Sequence, residues 1–351
     1  MNFSRAKIFF PVILVSCILY LASGIFSPTS AQTPDSGLRL VTSPLPINLV
    51  TEPGTTITTE LKVKNGGTQR ESLKIDLMKF NAYEDTGKPR LMEPESQDDF
   101  LKWVTFSEPS FSLDPEEWKT ITATFTVPPT ASFGYYYAFV FSRAQDTQNL
   151  DSRQTAIVGG TAVLVLLEAR VPGAQRAVEV SEFSVAKRFY EFLPTTFNIK
   201  LKNTGNVHIA PRGNIFIDRG NTKDLAILEV NSEKGNILPD SNRVFTATWS
   251  DGFPIYEEKV EDGTTILDEQ GNPTYQLTWN WQDASKLRFG KYQAKLLLIY
   301  DDGKRDIPIE GEVSFWVIPW RLGLAALVIA LFFFIGIRST VRNIWNNIFK
   351  K

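Results

Sequence analysis

Glu60-Leu61-Lys62-Val63-Lys64, closed by Asn65-Gly66-Gly67, is written a second time as Asn198-Ile199-Lys200-Leu201-Lys202, closed by Asn203-Thr204-Gly205. In both stretches apolar and polar side chains alternate with period two, the pattern of a strand with one buried face. Asn and Gly tolerate the positive φ that a tight turn after such a strand requires. Two more pairs follow in the same order. Thr122-Ala123-Thr124-Phe125 is matched by Thr246-Ala247-Thr248-Trp249, with Leu113-Asp114-Pro115 and Leu238-Pro239-Asp240 upstream of them. Phe133-Gly134-Tyr135-Tyr136-Tyr137-Ala138 is matched by Phe289-Gly290-Lys291-Tyr292-Gln293-Ala294. Three strand-sized matches in one order indicate two copies of one β module, residues 32–172 and 176–314, joined near Val171-Pro172-Gly173-Ala174-Gln175. Many short strands with regular turn signals make the fold all-β, two tandem immunoglobulin-like β-sandwiches.

The copies differ in spacing where loops belong. The first has an insertion at about residues 81–101 and the second a longer one at 250–285. Turn chemistry at Asp262-Gly263 and Gln270-Gly271-Asn272-Pro273 predicts hairpins in the second insertion. Thr278-Trp279-Asn280-Trp281 alternates, so both Trp side chains face one way.

The two ends are apolar. Residues 1–31 read as an export signal, with Arg5 and Lys7 before an apolar stretch over 8–26 and small residues before Gln32. The stretch is long for a cleaved signal, which leaves a retained anchor open, and Leu14-Val15-Ser16-Cys17 loosely fits a lipidation box. At the other end, residues 315–337 carry one charge, Arg321, and are long enough for a transmembrane helix. Trp316, Trp320 and Arg321 mark its outer edge, as interfacial aromatic and snorkelling basic residues do. Arg338, Arg342, Lys350 and Lys351 follow without an acid, so residues 338–351 form a basic cytoplasmic tail and 32–314 lie outside a single-pass cell membrane. In the tail, Val341, Ile344, Trp345, Ile348 and Phe349 share one helical face, which predicts an amphipathic segment in the inner interface with Trp345 among the acyl chains.

Composition excludes much chemistry. There is one Cys, inside the signal, and one His, so no disulfide, no Cys/His metal cluster and no cofactor are expected. All 39 acids but only part of the 37 cations lie in 32–314, and that acidic balance argues against nucleic acid as a partner. The absence of cysteine and of Asn-x-Ser/Thr sites from this exported segment points to a bacterial cell surface. His208 follows a turn beside strand-like residues and reads as structural. No nucleophile is marked for it, so no catalytic residue is assigned. Acid pairs such as Asp98-Asp99, Glu257-Glu258 and Asp301-Asp302 read as solvated turns, although two carboxylates suffice for a wall hydrolase.

Among the aromatics, Tyr136 aligns with Tyr292 and is assigned to the core, which turns Tyr135 and Tyr137 to the outer face. There they become candidates for stacking on sugars or on a partner, together with Trp103 and Trp118. Leu101-Lys102-Trp103-Val104-Thr105-Phe106, Phe111-Ser112-Leu113-Asp114-Pro115, Phe125-Thr126-Val127-Pro128-Pro129 and Gly134-Tyr135-Tyr136-Tyr137-Ala138 resemble the amino-terminal domain of the WxL-interacting surface proteins. The layout of signal, two immunoglobulin-like domains, span and basic tail is similar as well. The resemblance implies a first domain that binds peptidoglycan or a wall-associated partner and a second that faces a surface ligand. The expectation is a non-enzymatic, membrane-anchored binding or scaffold protein for a cell wall polymer or a surface protein. The alternatives are a carboxylate-based hydrolase and a membrane-complex subunit.

Overall fold

A computed structural model describes residues 37–144 and 160–349. The expected signal at 1–31, with Cys17, and the terminal Lys350 and Lys351 lie outside the described residues.

The first module begins with β1 (Leu40–Ser43), β2 (Ile47–Thr51), β3 (Thr56–Asn65), β4 (Glu71–Tyr83) and β5 (Lys88–Met92). It continues with β6 (Val104–Phe106), β7 (Ser110–Leu113), β8 (Trp118–Thr126), β9 (Phe133–Arg143) and β10 (Thr161–Ala169). One sheet runs β1-β3-β8-β6 and the other β2-β10-β9-β4-β5, with β7 also on β4. The second module begins with β11 (Val178–Val185), β12 (Phe189–Tyr190), β13 (Thr195–Asn203), β14 (Arg212–Arg219), β15 (Thr222–Val230) and β16 (Asn242–Trp249). After an insertion holding β17 (Ile255–Glu258), β18 (Val260–Glu261), β19 (Thr264–Thr265) and β20 (Tyr275–Thr278), it ends with β21 (Gly290–Asp301) and β22 (Asp306–Val317). Its sheets run β11-β13-β16 and β12-β22-β21-β14-β15.

Apart from β6 and β7, which the second module lacks, the two orders repeat strand for strand. In each module the first strand joins the smaller sheet, and the chain then crosses to the larger one. There β2 runs parallel to β10, and β12 parallel to β22. The registers repeat too. Lys64 faces Trp118 and Ile57 faces Phe125; Lys202 faces Asn242 and Thr195 faces Trp249. Thr122-Ala123-Thr124-Phe125 and Thr246-Ala247-Thr248-Trp249 therefore occupy the same places.

Asn65 and Asn203 do the same work in the two copies, and both are fully buried. The Asn65 amide donates to Gln69 O (2.7 Å) and Leu113 O (3.1 Å), and its oxygen accepts from Gly67 N (2.9 Å). The Asn203 amide donates to Val207 O (2.8 Å) and Ile237 O (2.9 Å), and its oxygen accepts from Gly205 N (2.8 Å). A buried side-chain amide closes each turn because the turn's backbone groups have no ladder partner. The second turn also holds the connection between modules. Thr204 N donates to Ala177 O, and Asn206 N to Gln175 O (both 2.9 Å). A Cβ on Gly205 would lie 2.2 Å from Gln175 O, so only glycine fits there.

The aromatic strand departs from the sequence alignment by one residue. Tyr137, not Tyr136, is fully buried, with its ring 5.3 Å from Phe125. Tyr292 stands in the same relation to Trp249, at 5.1 Å. Tyr137 thus corresponds to Tyr292, and Gly134 does not superpose on Gly290. Glycines at strand starts tolerate such a slip, whereas the inward side of a strand cannot change without burying the wrong set of side chains. Phe125, Tyr137, Phe139 and Phe106 join the sheets of the first module, and Trp249, Tyr292, Phe315 and Phe197 those of the second.

Phe315 also corrects the expected span. Residues 306–317 pair with β21 along their whole length, and Phe315 stacks on Tyr292 (5.6 Å) in the core. Phe315 points inward while Trp316 is exposed, the alternation of a strand rather than of a helix in lipid. Pro319, which lacks an N–H, ends the strand, and its carbonyl accepts from Gly323 N in the first helical turn. Helix α1 covers Trp320–Phe349. Its stretch Trp320–Arg342 has a mean hydropathy of 2.3, and none of it is buried in the protein. Arg338, Arg342 and Trp345 stand exposed on this same continuous helix, so the expected tail segment has no break before it.

Candidate binding cleft

Two strands of the first module break the alternation seen elsewhere. Tyr136 to Phe141 on β9 and Val163 to Leu167 on β10 are apolar at every position. Such runs require cover on both faces of the sheet. The inner face meets the sandwich core. On the outer face Met78, Phe80, Ala138, Val140 and Leu166 are buried against Leu238 of the second module. Leu238 belongs to the loop between β15 and β16 that also supplies Ile237 O to Asn203. The turn device of the second copy thus helps to place the residue that seals the junction.

Polar contacts hold the remaining edge. The β4–β5 hairpin carries Asp85 to the second module, where its carboxylate meets Lys200 Nζ (2.8 Å) and its carbonyl accepts from Val244 N (2.8 Å). Each partner steadies the charged form of the other, lowering the Asp85 pKa and raising that of Lys200. At the far side, Tyr136 packs edge-on against His208 (5.8 Å). Burial pushes the His208 pKa down to about 4, and its Nδ1 has no hydrogen-bond partner among the described residues. The neutral imidazole is a packing group here.

Leu238 does not cover the whole apolar face. A cleft of about 500 Å³ remains between the modules. Phe80, Leu164 and Leu166 form its floor, and residues 233–238 its opposite wall. Arg243 stands at its rim. Its guanidinium lies 5.0 Å over the Phe245 ring and donates to Asn236 O (2.8 Å). A Cβ on Gly87 or Gly235 would come within 2.5 Å of that guanidinium, so both glycines make room for it. Desolvation lowers the Arg243 pKa from its very high ordinary value, and the group stays cationic. The cleft therefore offers an occupant an apolar floor and a fixed cation, with the Glu233 carboxylate close to that cation.

None of the four aromatics proposed from sequence lines this cleft. Tyr135 and Tyr137 face the inner side of their sheet, where both rings meet Phe100 and Tyr135 also meets Trp103 at 4.6 Å. The Tyr137 hydroxyl donates to Phe100 O (3.2 Å). These residues close one end of the first sandwich, which overturns their assignment to the outer face. Trp118 alone of the four is exposed, with Lys64 6.0 Å over its ring. Trp316 and Trp320 are exposed, and Arg321 lies over Trp320 (5.2 Å) with its Nε 3.5 Å from Glu191. Of the suspected acid pairs, Asp98-Asp99 and Asp301-Asp302 are spent on turns and surface ion pairs, whereas Glu257 and Glu258 stand exposed at the end of strand β17. Asp98 accepts from Glu95 N and meets Lys79, and Asp302 accepts from the Lys304 and Arg305 amides. Among the described residues, no group of three His, Cys, Asp or Glu is placed to hold a metal.

The signal for the cleft was present in the sequence as the unbroken apolar runs of β9 and β10. Which residues cover them could not be read there, because Leu238 and Arg243 come from a separate module.

No family model and no curated protein sequence matches the chain. Solved structures that align with it include the class 5 fimbriae chaperone CfaA, at 14% identity and a TM-score of 0.33, over 69% of this chain and 100% of that one. The YadV chaperone aligns at 11% identity and 0.33, over 79% and 99%. A chain of the CsuC–CsuE chaperone–tip adhesion subunit complex of Acinetobacter baumannii aligns at 13% and 0.31, over 59% and 89%. Likenesses at this level carry no information about partners or activity.

Proposed function

We propose that the protein is a membrane-anchored, non-enzymatic binding module with two tandem immunoglobulin-like sandwiches, which holds a segment of a surface protein partner in the cleft between them. The observation that supports it most is the cleft itself. The two modules meet through Leu238 and the Asp85–Lys200 ion pair and leave part of one apolar floor uncovered beside a positioned guanidinium. An extended peptide with apolar side chains and an acidic group near Arg243 fits that chemistry. Helix α1 would hold the module at a membrane as a single-pass anchor, with 32–314 outside and the basic end in the cytoplasm. The likeness to WxL-interacting proteins implies a cell-wall setting of this kind. Binding to a wall polymer through Tyr135 and Tyr137 loses its support, since both rings face inward.

The test is peptide selection on the full-length protein in nanodiscs, with purified peptidoglycan sedimentation as a second arm. Selected peptides should be apolar with an acidic residue, and Leu164→Arg, which fills the cleft from its floor, should abolish their binding. Binding that survives Leu164→Arg overturns the cleft. Sedimentation with peptidoglycan that is equally insensitive assigns the ligand to another surface.

A further inference from the structure

We propose that the base of the second sandwich rests on the outer interfacial layer of the bilayer spanned by α1, with Trp279 and Trp281 as its lipid-contacting anchors. This rests on reading α1 as a span.

The insertion between β16 and β21 leaves and rejoins the sandwich at one end. Trp249, the last residue of β16, faces Thr195, and Gly290, the first of β21, faces Val317. Val317 is the last strand residue before α1. The stem of the insertion is therefore held at the end of the sandwich from which the helix departs. Side-chain contacts close the same gap. Arg321, in the first turn of α1, lies 3.5 Å from Glu191, and the Tyr256 hydroxyl donates to the same carboxylate (3.2 Å). Tyr256 is on β17, in the stem itself, and the neighbouring Ile255 bridges to Leu193.

On this stem stand two Trp residues that the protein leaves uncovered. Trp279 and Trp281 stack on each other (5.8 Å, 28° between planes), and both rest on Phe253 (5.7 and 5.4 Å). Phe253 is buried beneath them, while Trp281 is 72% and Trp279 40% exposed. A stacked Trp pair fixed on an aromatic base and turned to solvent is a costly surface in water and a favourable one at a headgroup layer, where indole is amphipathic enough to sit. Phe189 and Trp316, paired across the parallel ladder at the same end, are exposed as well. From Tyr256 outward the insertion carries Glu257, Glu258, Glu261, Asp262, Asp268 and Glu269 against Lys259. That acidic lobe stays in water while its aromatic root meets lipid.

The test uses full-length protein in phosphatidylcholine vesicles, with Cys17, the only cysteine, replaced by Ser. Single cysteines at Gln282, Leu331 and Glu60 carry a spin label, and its collisions with membrane-soluble oxygen and with an aqueous nickel chelate are compared. The Gln282 label should be enriched in oxygen collisions over the Glu60 label, less so than the Leu331 label. Trp279→Ala plus Trp281→Ala should return it to the aqueous value with far-UV circular dichroism unchanged. A deep Leu331 label with an aqueous Gln282 label overturns this inference and leaves the anchor standing. A Gln282 label shielded from both reagents also overturns it, because a protein would then cover the stem. An aqueous Leu331 label overturns the anchor itself.

Discussion

Replacing Asn203 by Ala should destabilise the second module by about 3 kcal/mol. The side chain serves three backbone groups. Ile237 O keeps a partner without it, because Ile209 N also donates there (3.1 Å). Gly205 N and Val207 O are left without a described partner in a turn whose side chain is fully buried. Each stranded buried group costs about 1–3 kcal/mol, and two of them give the figure stated. Asn65→Ala removes an equivalent set, but Gln69 is exposed and Gly67 half-buried, so water replaces much of what is lost and about 1–2 kcal/mol is expected. Asn203→Asp should be worse than Asn203→Ala at neutral pH. It keeps the contact to Gly205 N but sets a carboxylate oxygen against two carbonyls. The difference should shrink on acidification as the carboxyl protonates. Urea unfolding of the full-length protein in micelles, followed by near-ultraviolet circular dichroism, measures all three. An Asn203→Ala loss below about 1 kcal/mol, or an Asn65→Ala loss as large, would refute the account of the repeated turn.

The other expectations concern the junction and the core. His208 is held near a pKa of about 4, against 6.5 when free. The unfolded chain therefore binds its proton first, and stability falls as pH drops from about 6.5 to about 4, by at most about 3 kcal/mol. Subtracting the pH–stability curve of His208→Gln from that of the parent should isolate this slope, and a flat difference would place the imidazole in water. Tyr137→Ala should cost about 3–5 kcal/mol, as for a core aromatic, whereas Tyr136→Phe should change stability by less than about 1 kcal/mol. Equal and small losses in chemical denaturation would return Tyr137 to the outer face.

Much of this protein follows from local chemistry. Period-two alternation at Glu60–Lys64 and Asn198–Lys202, with an Asn-x-Gly turn after each, was enough to infer a repeated β module. The strand pairings carry the same repeat, except for β6 and β7 of the first module. The Asp262-Gly263 turn and the common face of Trp279 and Trp281 were likewise legible, since both depend on only a few neighbouring residues. So was the apolar terminal helix, because a long uncharged run needs no partner to be recognised.

Tertiary structure decided the rest. Whether β9 shows Tyr136 or Tyr137 to the core depends on which partners sit across it, and a one-residue slip leaves the local pattern almost unchanged while reversing both faces. Where β22 ends and α1 begins was hidden because Phe315 and Val317 are as apolar as a lipid-facing run. Only their pairing with Tyr292 and Gly290 assigns them to the sheet. The cleft was hidden for a related reason. An unbroken apolar run announces that both faces of a strand are covered, but not by what. Its cover and its charge, Leu238 and Arg243, arrive from another module, brought there by the packing of the two sandwiches.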